Sequence, residues 1–346
     1  MNANNNARPR DEFRVDPEAL RARMKEESAA SYEKDPRTPA PEKKNKPKKK
    51  HGFRKFLCIL LVIILLVGGL GAGAVFYVTR NYTPSDLPRN SVSGLASSPA
   101  ITNILLIGAD RADAGGHARS DTMILLSADT LHAKLKLTSF MRDSYVAIDG
   151  WGRSKLTHAC SWGGPKLTVD TIEQNFGVKI DGYIKVDFAL FRDLAEALGG
   201  ITVPEISEAE SVDLAREGVN IAPGKNIHLD GNGTLQYCRI RKSTTDFART
   251  QRQRLAVTLL IKQALKTNPV KLLQIASDLF SRVDSSLTKT EIFTLGAKLL
   301  PCLAGKTEQK QIPEYGTWWS ETIDGLWMLC FDEEQNRKIL KTYIYG

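Results

Sequence analysis

Two acidic side chains flank the loop between two predicted strands in the middle of the chain. Asp110 comes after the apolar run NILLIG (103–108), and Asp121 comes directly before the next run, TMILLSA (122–128). If the two runs are neighbouring strands, the loop returns both carboxylates to one edge of the sheet. Two carboxylates that close repel each other unless a cation lies between them, and such oxygen ligands suit Mg²⁺ or Mn²⁺. The spacing indicates a metal site, although paired aspartates are also common in ordinary loops.

Basic side chains accompany these acids at the ends of other predicted elements. Arg119 lies in the same loop, and Arg142 follows the run KLKLTSF (134–140) together with Asp143. Lys155 stands in the next loop. One such acid–base pair is usually a surface salt bridge that contributes little.

Further polar groups lie between positions 239 and 253. Arg239 and Arg241 are two residues apart, so on an extended strand they would point the same way. A helix predicted over 246–266 has several polar groups on one face: Asp246, Arg249, Gln253 and, at its border, Arg252.

Several guanidinium groups that converge on one place match the fork geometry of a phosphate or pyrophosphate. Beside two metal-binding carboxylates they provide the groups needed for phosphoryl-type transfer. The residues alone therefore favour a protein that binds a phosphorylated ligand together with a divalent metal.

The elements that would hold these residues mix strands and helices. Short apolar or alternating runs predict strands over 103–108, 122–128, 134–140 and 182–186. Helices are predicted over 164–176, 187–198, 246–266, 269–280 and 289–300. In the second of them Asp187 is a plausible N-cap, and Gly199-Gly200 a stop signal. This order predicts a single mixed α/β domain over 100–346, with a mixed sheet flanked by helices.

A long apolar segment precedes this domain. Residues 56–78 contain no charge, and at about 1.5 Å per residue they span the roughly 30 Å hydrocarbon core of a bilayer. A cleaved signal peptide is the alternative, but some 55 polar residues before the run are long for one. A lysine-rich flank before residue 56 predicts a cytoplasmic N-terminus and an extracellular domain.

The remaining segments are polar. Residues 1–55 are rich in Pro and Lys and predict a disordered cytoplasmic tail, and 79–99 predict a stalk. The tail holds +7 of the formal net charge of +9, so the rest of the chain does not favour a nucleic-acid-binding protein. Four cysteines in an oxidising location permit disulfides, with Cys302–Cys330 preferred and Cys160–Cys238 second; free buried thiols are the alternative.

The motifs in their order resemble the LytR-CpsA-Psr family. The resemblance covers roughly 100–266 and rests on NILLIGADR, ARSDTMILLS, TSFMRDSYV, IDGYIKVDFALFRDLAEALGGITV and LDGNGTLQYCRIRKSTTDFARTQRQR. It implies a membrane-anchored enzyme that transfers a glycopolymer, of teichoic acid or capsule type, from a polyprenyl-pyrophosphate carrier to peptidoglycan.

The resemblance also implies roles for single residues. Asp110 and Asp121 match the metal-coordinating carboxylates. The groups that match the pyrophosphate-binding positions are Arg119, Arg142, Lys155, Arg239, Arg241, Arg249, Arg252 and Gln253. The prenyl chain needs a dry slot, and Phe188, Phe191 and Leu194 are candidates to line it, with ordinary core packing as the alternative. Ala109, Met141 and Leu156-Thr157 depart from the usual family residues but remove no charged group.

The implied mechanism is attack of a peptidoglycan hydroxyl on the phosphorus nearer the glycopolymer. The arginines, Arg119, Arg142 and Arg241 above all, would stabilise the developing charge with Mg²⁺, and Asp121 or Asp143 would accept the proton. A non-catalytic regulator or wall-binding protein and a pyrophosphate hydrolase are the competing functions. Residues 281–346 carry no recognised motif, and their Trp318, Trp319 and Trp327 fit a core better than a sugar-binding surface.

Overall fold

The computed structural model describes residues 71–87, 92–109, 118–241 and 245–346 of the chain. The predicted tail 1–55, residues 56–70 of the predicted membrane span, and Asp110 lie outside these ranges. Across the described residues, no helix combines the length and apolar character needed to cross a bilayer.

Strands and helices mix throughout the described ranges. The strands are β1 Ile101–Ala109, β2 Ser120–Asp129, β3 Lys134–Phe140, β4 Tyr145–Ile148, β5 Gly152–Lys155, β6 Gly182–Val186, β7 Ile201–Ile206, β8 Gly224–Leu229, β9 Asp284–Ser285, β10 Thr307–Ile312, β11 Trp318–Ile323 and β12 Leu326–Phe331. The helices are α1 Gly71–Thr79, α2 Leu156–Phe176, α3 Phe188–Leu198, α4 Glu208–Arg216, α5 Gly231–Arg239, α6 Asp246–Lys266, α7 Pro269–Phe280, α8 Lys289–Ala304 and α9 Glu333–Tyr345. The prediction of a mixed α/β domain is confirmed.

A mixed sheet forms the centre of the domain, with its strands in the order β10-β3-β2-β1-β6-β9. β2 pairs antiparallel with both β1 and β3, whereas β6 runs parallel to β1 and β10 parallel to β3. The two strands that flank the Asp110–Asp121 loop are therefore neighbours, as expected from the sequence.

Helices cover both faces of this sheet because alternate strand residues point to opposite sides. On one face Leu125 packs in the same core cluster as Ile172 of α2 and Leu340 of α9. On the other face Leu126 belongs to a cluster against which Ile261 of α6 packs. A further cluster joins α3, α5 and α6 to the β7–β8 hairpin. These clusters hold the ends of β1, β2 and β3 in place beside α3 and α6.

Local signals at the ends of α3 agree with the sequence. The Asp187 side chain caps the helix by accepting a hydrogen bond from the backbone N–H of Leu190 at 2.7 Å, a contact worth about 1 kcal/mol. Gly199 and Gly200 end it with φ of 86° and 72°. A Cβ on Gly200 would lie 2.1 Å from the carbonyl oxygen of Leu229, so the β7–β8 hairpin can pack closely only because that position is glycine.

Other boundaries differ from the prediction. Non-helical φ and ψ at Gly163 and Gly164 divide α2 into two helical pieces at a kink. The prediction over 164–176 corresponds to the second piece, and the first piece, which begins at Leu156, was not predicted. α8 continues to Ala304 rather than ending at 300. The elements that were not predicted are strands β4, β5 and β7 to β12 and helices α4, α5 and α9.

The segment predicted as a stalk contacts the domain. Tyr82 is buried, and its hydroxyl donates to the carbonyl oxygens of Ser285 and Leu287 at 2.9 and 2.6 Å. Its ring also meets Phe280 of α7 edge to face. Ala96 forms an isolated parallel bridge with Val178.

Both predicted disulfides are wrong, because all four described cysteines are free and buried. Cys160 and Cys238 lie in different core clusters. The Cys302 thiol contacts the carbonyl oxygen of Asp129 at 3.3 Å, whereas the Cys330 thiol faces Glu321 at 3.6 Å. The cysteines of each pair thus pack in separate surroundings.

Candidate active site

Arg142 is the centre of a charge cluster at the end of β3. Its Nη1 lies 2.6 Å from Oδ1 of Asp121, and its Nε lies 3.2 Å from Asp246 and 3.3 Å from Asp143. One guanidinium group thus joins three carboxylates: Asp121 of β2, Asp143, which follows Arg142 in the chain, and Asp246 in the first turn of α6. Burial by itself would lower the pKa of Arg142, but these three carboxylates raise it above its ordinary value.

Asp121 is directed into the cluster by a β-bulge. Gly108 pairs with Thr122 and Ala109 pairs with Ser120, so Asp121 is the extra residue on β2. Bulges of this kind redirect a side chain. The second carboxylate oxygen of Asp121 lies 3.0 Å from Nη2 of Arg241. Burial pushes the pKa of Asp121 upward, but Arg241 and Arg142 outweigh it and hold the pKa below its ordinary value.

Arg249 brings a buried positive charge to the same place. Its side chain is 1% exposed, and its Nη2 lies 2.8 Å from Asp246. Its Nε and Nη1 are buried and have no hydrogen-bond partner among the described residues. Burial lowers its pKa to about 10, so it is still charged at neutral pH. Buried donors without partners are costly, and an anion in front of them would remove that cost.

Lys155, the last residue of β5, extends the cluster on another side. Its Nζ lies 2.7 Å from Oδ1 of Asp143 and 6.0 Å from the ring centre of Trp327. Asp143 is therefore held between Lys155 and Arg142.

An apolar cavity of about 390 Å³ opens beside the cluster. Asp121, Arg239, Arg241, Arg249 and Gln253 line it where the charged groups are. Its wall is formed by apolar side chains from β1, α3, α6 and α7, and these include Phe188, Phe191, Leu194, Leu198, Leu260 and Leu272. The arrangement suits an elongated apolar ligand that carries an anionic head.

The cavity lining includes the three residues of α3 that were candidates for a lipid slot. Phe188, Phe191 and Leu194 all belong to it. The buried residues of the same helix are Leu190, Ala195 and Leu198. That a prenyl chain occupies the cavity stays a prediction.

Arg239 and Arg241 do not lie on an extended strand, so the shared direction considered for that case does not apply. Arg239 is the last residue of α5, and Ile240 is its C-cap. Both arginines nevertheless line the cavity. The Arg239 guanidinium lies over the Phe188 ring at 4.8 Å, so it covers the junction between the polar and apolar parts of the cavity.

Arg142 and Lys155 belong to the charge cluster without lining the cavity, and two further predicted basic residues belong to neither. Arg252 extends to Glu210 of α4 at 3.1 Å and donates to the carbonyl oxygen of Ile240 at 2.8 Å. This arrangement gives Arg252 a structural position behind α5. Arg119 is exposed. The pKa of His158 is lowered first by the burial of His158 and second by the positive charge of Arg119.

Gln253 and the metal ligands complete the predicted set. Gln253 lines the cavity, with its Nε2 3.4 Å from the carbonyl oxygen of Cys238. Within the described ranges no three acidic, His or Cys side chains form a group able to hold a metal ion. Asp121 is described, but its predicted partner Asp110 is not.

Sequence reasoning missed two contributions to this site. Asp246 was placed on the correct helix face, but its bonds to Arg142 and Arg249 were not expected, although the i,i+3 spacing of Asp246 and Arg249 was a usable signal. Trp327 reaches the cluster from the far C-terminal end of the chain, and no local pattern indicated that approach.

The α/β domain has an apolar cavity bordered by arginines and by Asp121, which a β-bulge directs towards them. These features define a class of protein suited to bind an apolar chain with an anionic head. The LytR_cpsA_psr family model matches residues 80–344. The chain belongs to the LytR-CpsA-Psr family, and the resemblance seen in the sequence is confirmed.

Named relatives and solved structures agree with this assignment. The chain is 33% identical over 315 residues to the polyisoprenyl-teichoic acid–peptidoglycan teichoic acid transferase TagU of Oceanobacillus iheyensis, covering 85% of this chain and 94% of the relative. It is 30% identical over 280 residues to the TagU of Bacillus cereus strain AH820, covering 78% and 88%.

Among solved structures, TagT bound to LIIa-WTA has a TM-score of 0.62 at 24% identity, covering 76% of this chain and 98% of that one. The family protein YwtF (TagT) with bound octaprenyl pyrophosphate lipid has a TM-score of 0.59 at 22% identity, with the same coverage. At these identities the structures establish a shared fold.

Proposed function

We propose that this protein transfers a phosphorylated glycopolymer from a polyprenyl-pyrophosphate carrier to peptidoglycan. The observation that carries the proposal is the apolar cavity bordered by Arg239, Arg241 and Arg249. Its apolar wall suits a prenyl chain, and the buried, unpaired donors of Arg249 suit a pyrophosphate. The names of the TagU relatives and the octaprenyl pyrophosphate held by TagT support the same substrate class.

In the proposed reaction the acceptor hydroxyl oxygen forms a bond to the phosphorus that carries the glycopolymer. The bond from that phosphorus to the bridging oxygen breaks, and polyprenyl phosphate leaves with the electron pair. Arg241, Arg249 and Arg142 stabilise the charge that develops on the phosphoryl oxygens. Both oxygens of Asp121 are bonded to arginines, and the proposal gives Asp121 to the metal ion, so we assign the hydroxyl proton to Asp143.

The proposal includes Mg²⁺ or Mn²⁺ held by Asp110 and Asp121. The donor chemistry fits, since each Asp121 oxygen keeps a lone pair beyond its bond to an arginine. The ion would neutralise charge on the pyrophosphate. Removing divalent ions with EDTA should stop transfer, and Mg²⁺ should restore it. Calorimetric Mg²⁺ binding that Asp121→Asn leaves unchanged would contradict the assignment.

The proposal also includes the anchor and its orientation. Residues 56–78 would cross the membrane once, with the N-terminus in the cytoplasm and the domain outside, where peptidoglycan lies. α1 contains the last residues of that run, and its Phe76 and Tyr77 are exposed, as expected of side chains at a membrane interface. Protease added to intact cells should digest the domain and leave the N-terminal tail protected.

The function is tested with the full-length protein in detergent, a short-chain polyprenyl-pyrophosphate glycopolymer, Mg²⁺ and peptidoglycan. Product covalently linked to peptidoglycan is expected. Release of the phosphorylated glycopolymer into solution without linkage would instead mean hydrolysis. Absence of any turnover would favour a regulator or a wall-binding protein and would contradict the proposal.

A further inference from the structure

The β11–β12 hairpin carries three tryptophans beside the candidate active site, and it has two distinct faces. Trp318 pairs with Phe331 and Thr322 pairs with Trp327 across the hairpin, which turns at Asp324-Gly325 with φ of 51° and 75°. Paired residues, and those two apart on a strand, share a face. Trp318, Trp327, Leu329 and Phe331 therefore lie on one face, which we call the inner face, and Trp319 lies on the outer face.

The end of the inner face that lies away from the turn is fixed against the active site. Leu329 is fully buried, and its backbone N–H donates to the carbonyl oxygen of Asp143 at 2.9 Å. Trp318 stacks on Phe247, the neighbour of Asp246 in α6, with ring centres 4.8 Å apart. The hairpin is thus held by Asp143 of the charge cluster and by Phe247, the residue next to Asp246.

The tip of the inner face presents an exposed aromatic ring. Trp327 is 46% exposed, and its ring centre lies 6.0 Å from Nζ of Lys155, which in turn bonds Asp143 at 2.7 Å. An indole ring buries a large apolar area when it is covered. Here roughly half of Trp327 is exposed, and Lys155 lies between it and the group assigned as proton acceptor.

The position of Trp327 fits the second substrate rather than the first. Trp327, Lys155 and Asp143 do not line the apolar cavity, whereas Asp121 and Arg241 do. In an in-line displacement the attacking oxygen approaches opposite the leaving oxygen. A carrier lipid in the cavity therefore leaves the Asp143 side of the cluster for the acceptor.

We propose that Trp327 stacks on a sugar ring of the acceptor glycan strand of peptidoglycan and brings its hydroxyl group to Asp143. This inference rests on the proposed function. The C–H face of a pyranose ring packs on an indole ring, while the hydroxyl and amide groups at its edge reach polar partners. Lys155 adds a positive charge that attracts the carboxylates of the peptide stems carried by that glycan strand. Trp327 is a specificity-determining residue, not a catalytic one.

The test compares Trp327→Ala and Trp327→Phe with Trp319→Ala in the full-length protein. Trp319 is a matched control, since it is 53% exposed on the outer face of the same hairpin. For Trp327→Ala the KM for peptidoglycan should rise about tenfold, whereas the KM for the lipid donor should not change. Trp327→Phe should recover part of the loss, and Trp319→Ala should behave as wild type.

Unchanged acceptor KM in Trp327→Ala, or an equal loss in Trp327→Ala and Trp319→Ala, would overturn the inference. A direct titration separates it from the proposed function. Soluble glycan strands of peptidoglycan should alter the tryptophan fluorescence of wild type but not of Trp327→Phe. If wild type transfers nothing, the proposed function fails, and this titration still decides whether Trp327 binds glycan.

Discussion

Arg142→Ala removes the guanidinium group that joins Asp121, Asp143 and Asp246. Each of these acids keeps one other cation, since Asp121 retains Arg241, Asp143 retains Lys155 and Asp246 retains Arg249. No carboxylate is left alone, so we expect a loss of about 2 kcal/mol in the free energy of unfolding, from charged hydrogen bonds in a partly exposed site. For a domain of this size that corresponds to a drop in Tm of roughly 4–8 °C.

The effect on activity should be much larger than the effect on stability. Without Arg142 the positive charge facing the pyrophosphate falls, and the remaining carboxylates are no longer held in one arrangement. Loss of one preorganised donor to the transition state costs about 10²–10³-fold in kcat. Transfer is measured at saturating donor and acceptor, and folding is checked by thermal unfolding.

The matched control is Arg153→Ala, because Arg153 forms an ion pair with Glu333 in an exposed position away from the cavity. This control should change the free energy of unfolding by less than about 0.5 kcal/mol and leave kcat unchanged. Transfer by Arg142→Ala within threefold of wild type, in a folded protein, would refute the role given to the charge cluster.

Two further predictions concern the cavity and the sheet. Leu194→Trp fills part of the cavity of about 390 Å³, so the affinity for a long-chain prenyl donor should fall at least about tenfold. The control Leu131→Trp, at an exposed turn, should not change this affinity. Equal affinities of the two variants would contradict lipid binding in the cavity. Asp129 is buried, and although burial raises its pKa, its bonds to His132 and Lys136 hold the pKa below the ordinary value. Its stabilising contribution is present above the unfolded pKa of about 3.9 and is lost as pH falls through the folded pKa. The stability difference between wild type and Asp129→Asn in urea unfolding should therefore shrink below about pH 4, and a constant difference would exclude this linkage.

Local signals accounted for most of the elements near the site. β3, β6, α6 and α7 have the bounds that hydrophobic periodicity and caps predicted, because each of them makes its pattern within a short stretch of chain. The alternation of KLKLTSF and the Asp187 cap of α3 are examples. Such patterns do not depend on distant neighbours, and sequence reasoning reads them well.

Patterns failed where packing between distant segments decided the outcome. The sequence reasoning considered Arg239 and Arg241 on an extended strand and predicted no helix before them. Asp230 caps a helix there by accepting from the backbone N–H of Gly233 at 2.6 Å, and that helix ends at Arg239. β10, with the polar sequence TEQKQI, is an edge strand beside β3, so it lacks the apolar run of a central strand.

The amino-acid sequence was sufficient to predict a mixed α/β domain, the types of charged group at strand ends, and the family to which the chain belongs. It did not reveal that Arg142 binds three carboxylates at once, that Arg252 packs against Glu210, or that Trp327 comes within reach of Lys155. Apart from the bond between the neighbours Arg142 and Asp143, these contacts join residues 21 to 172 positions apart, and the geometry of such contacts depends on how layers pack. Periodicity and capping describe only neighbours along the chain, so contacts of this kind exist only in the folded domain.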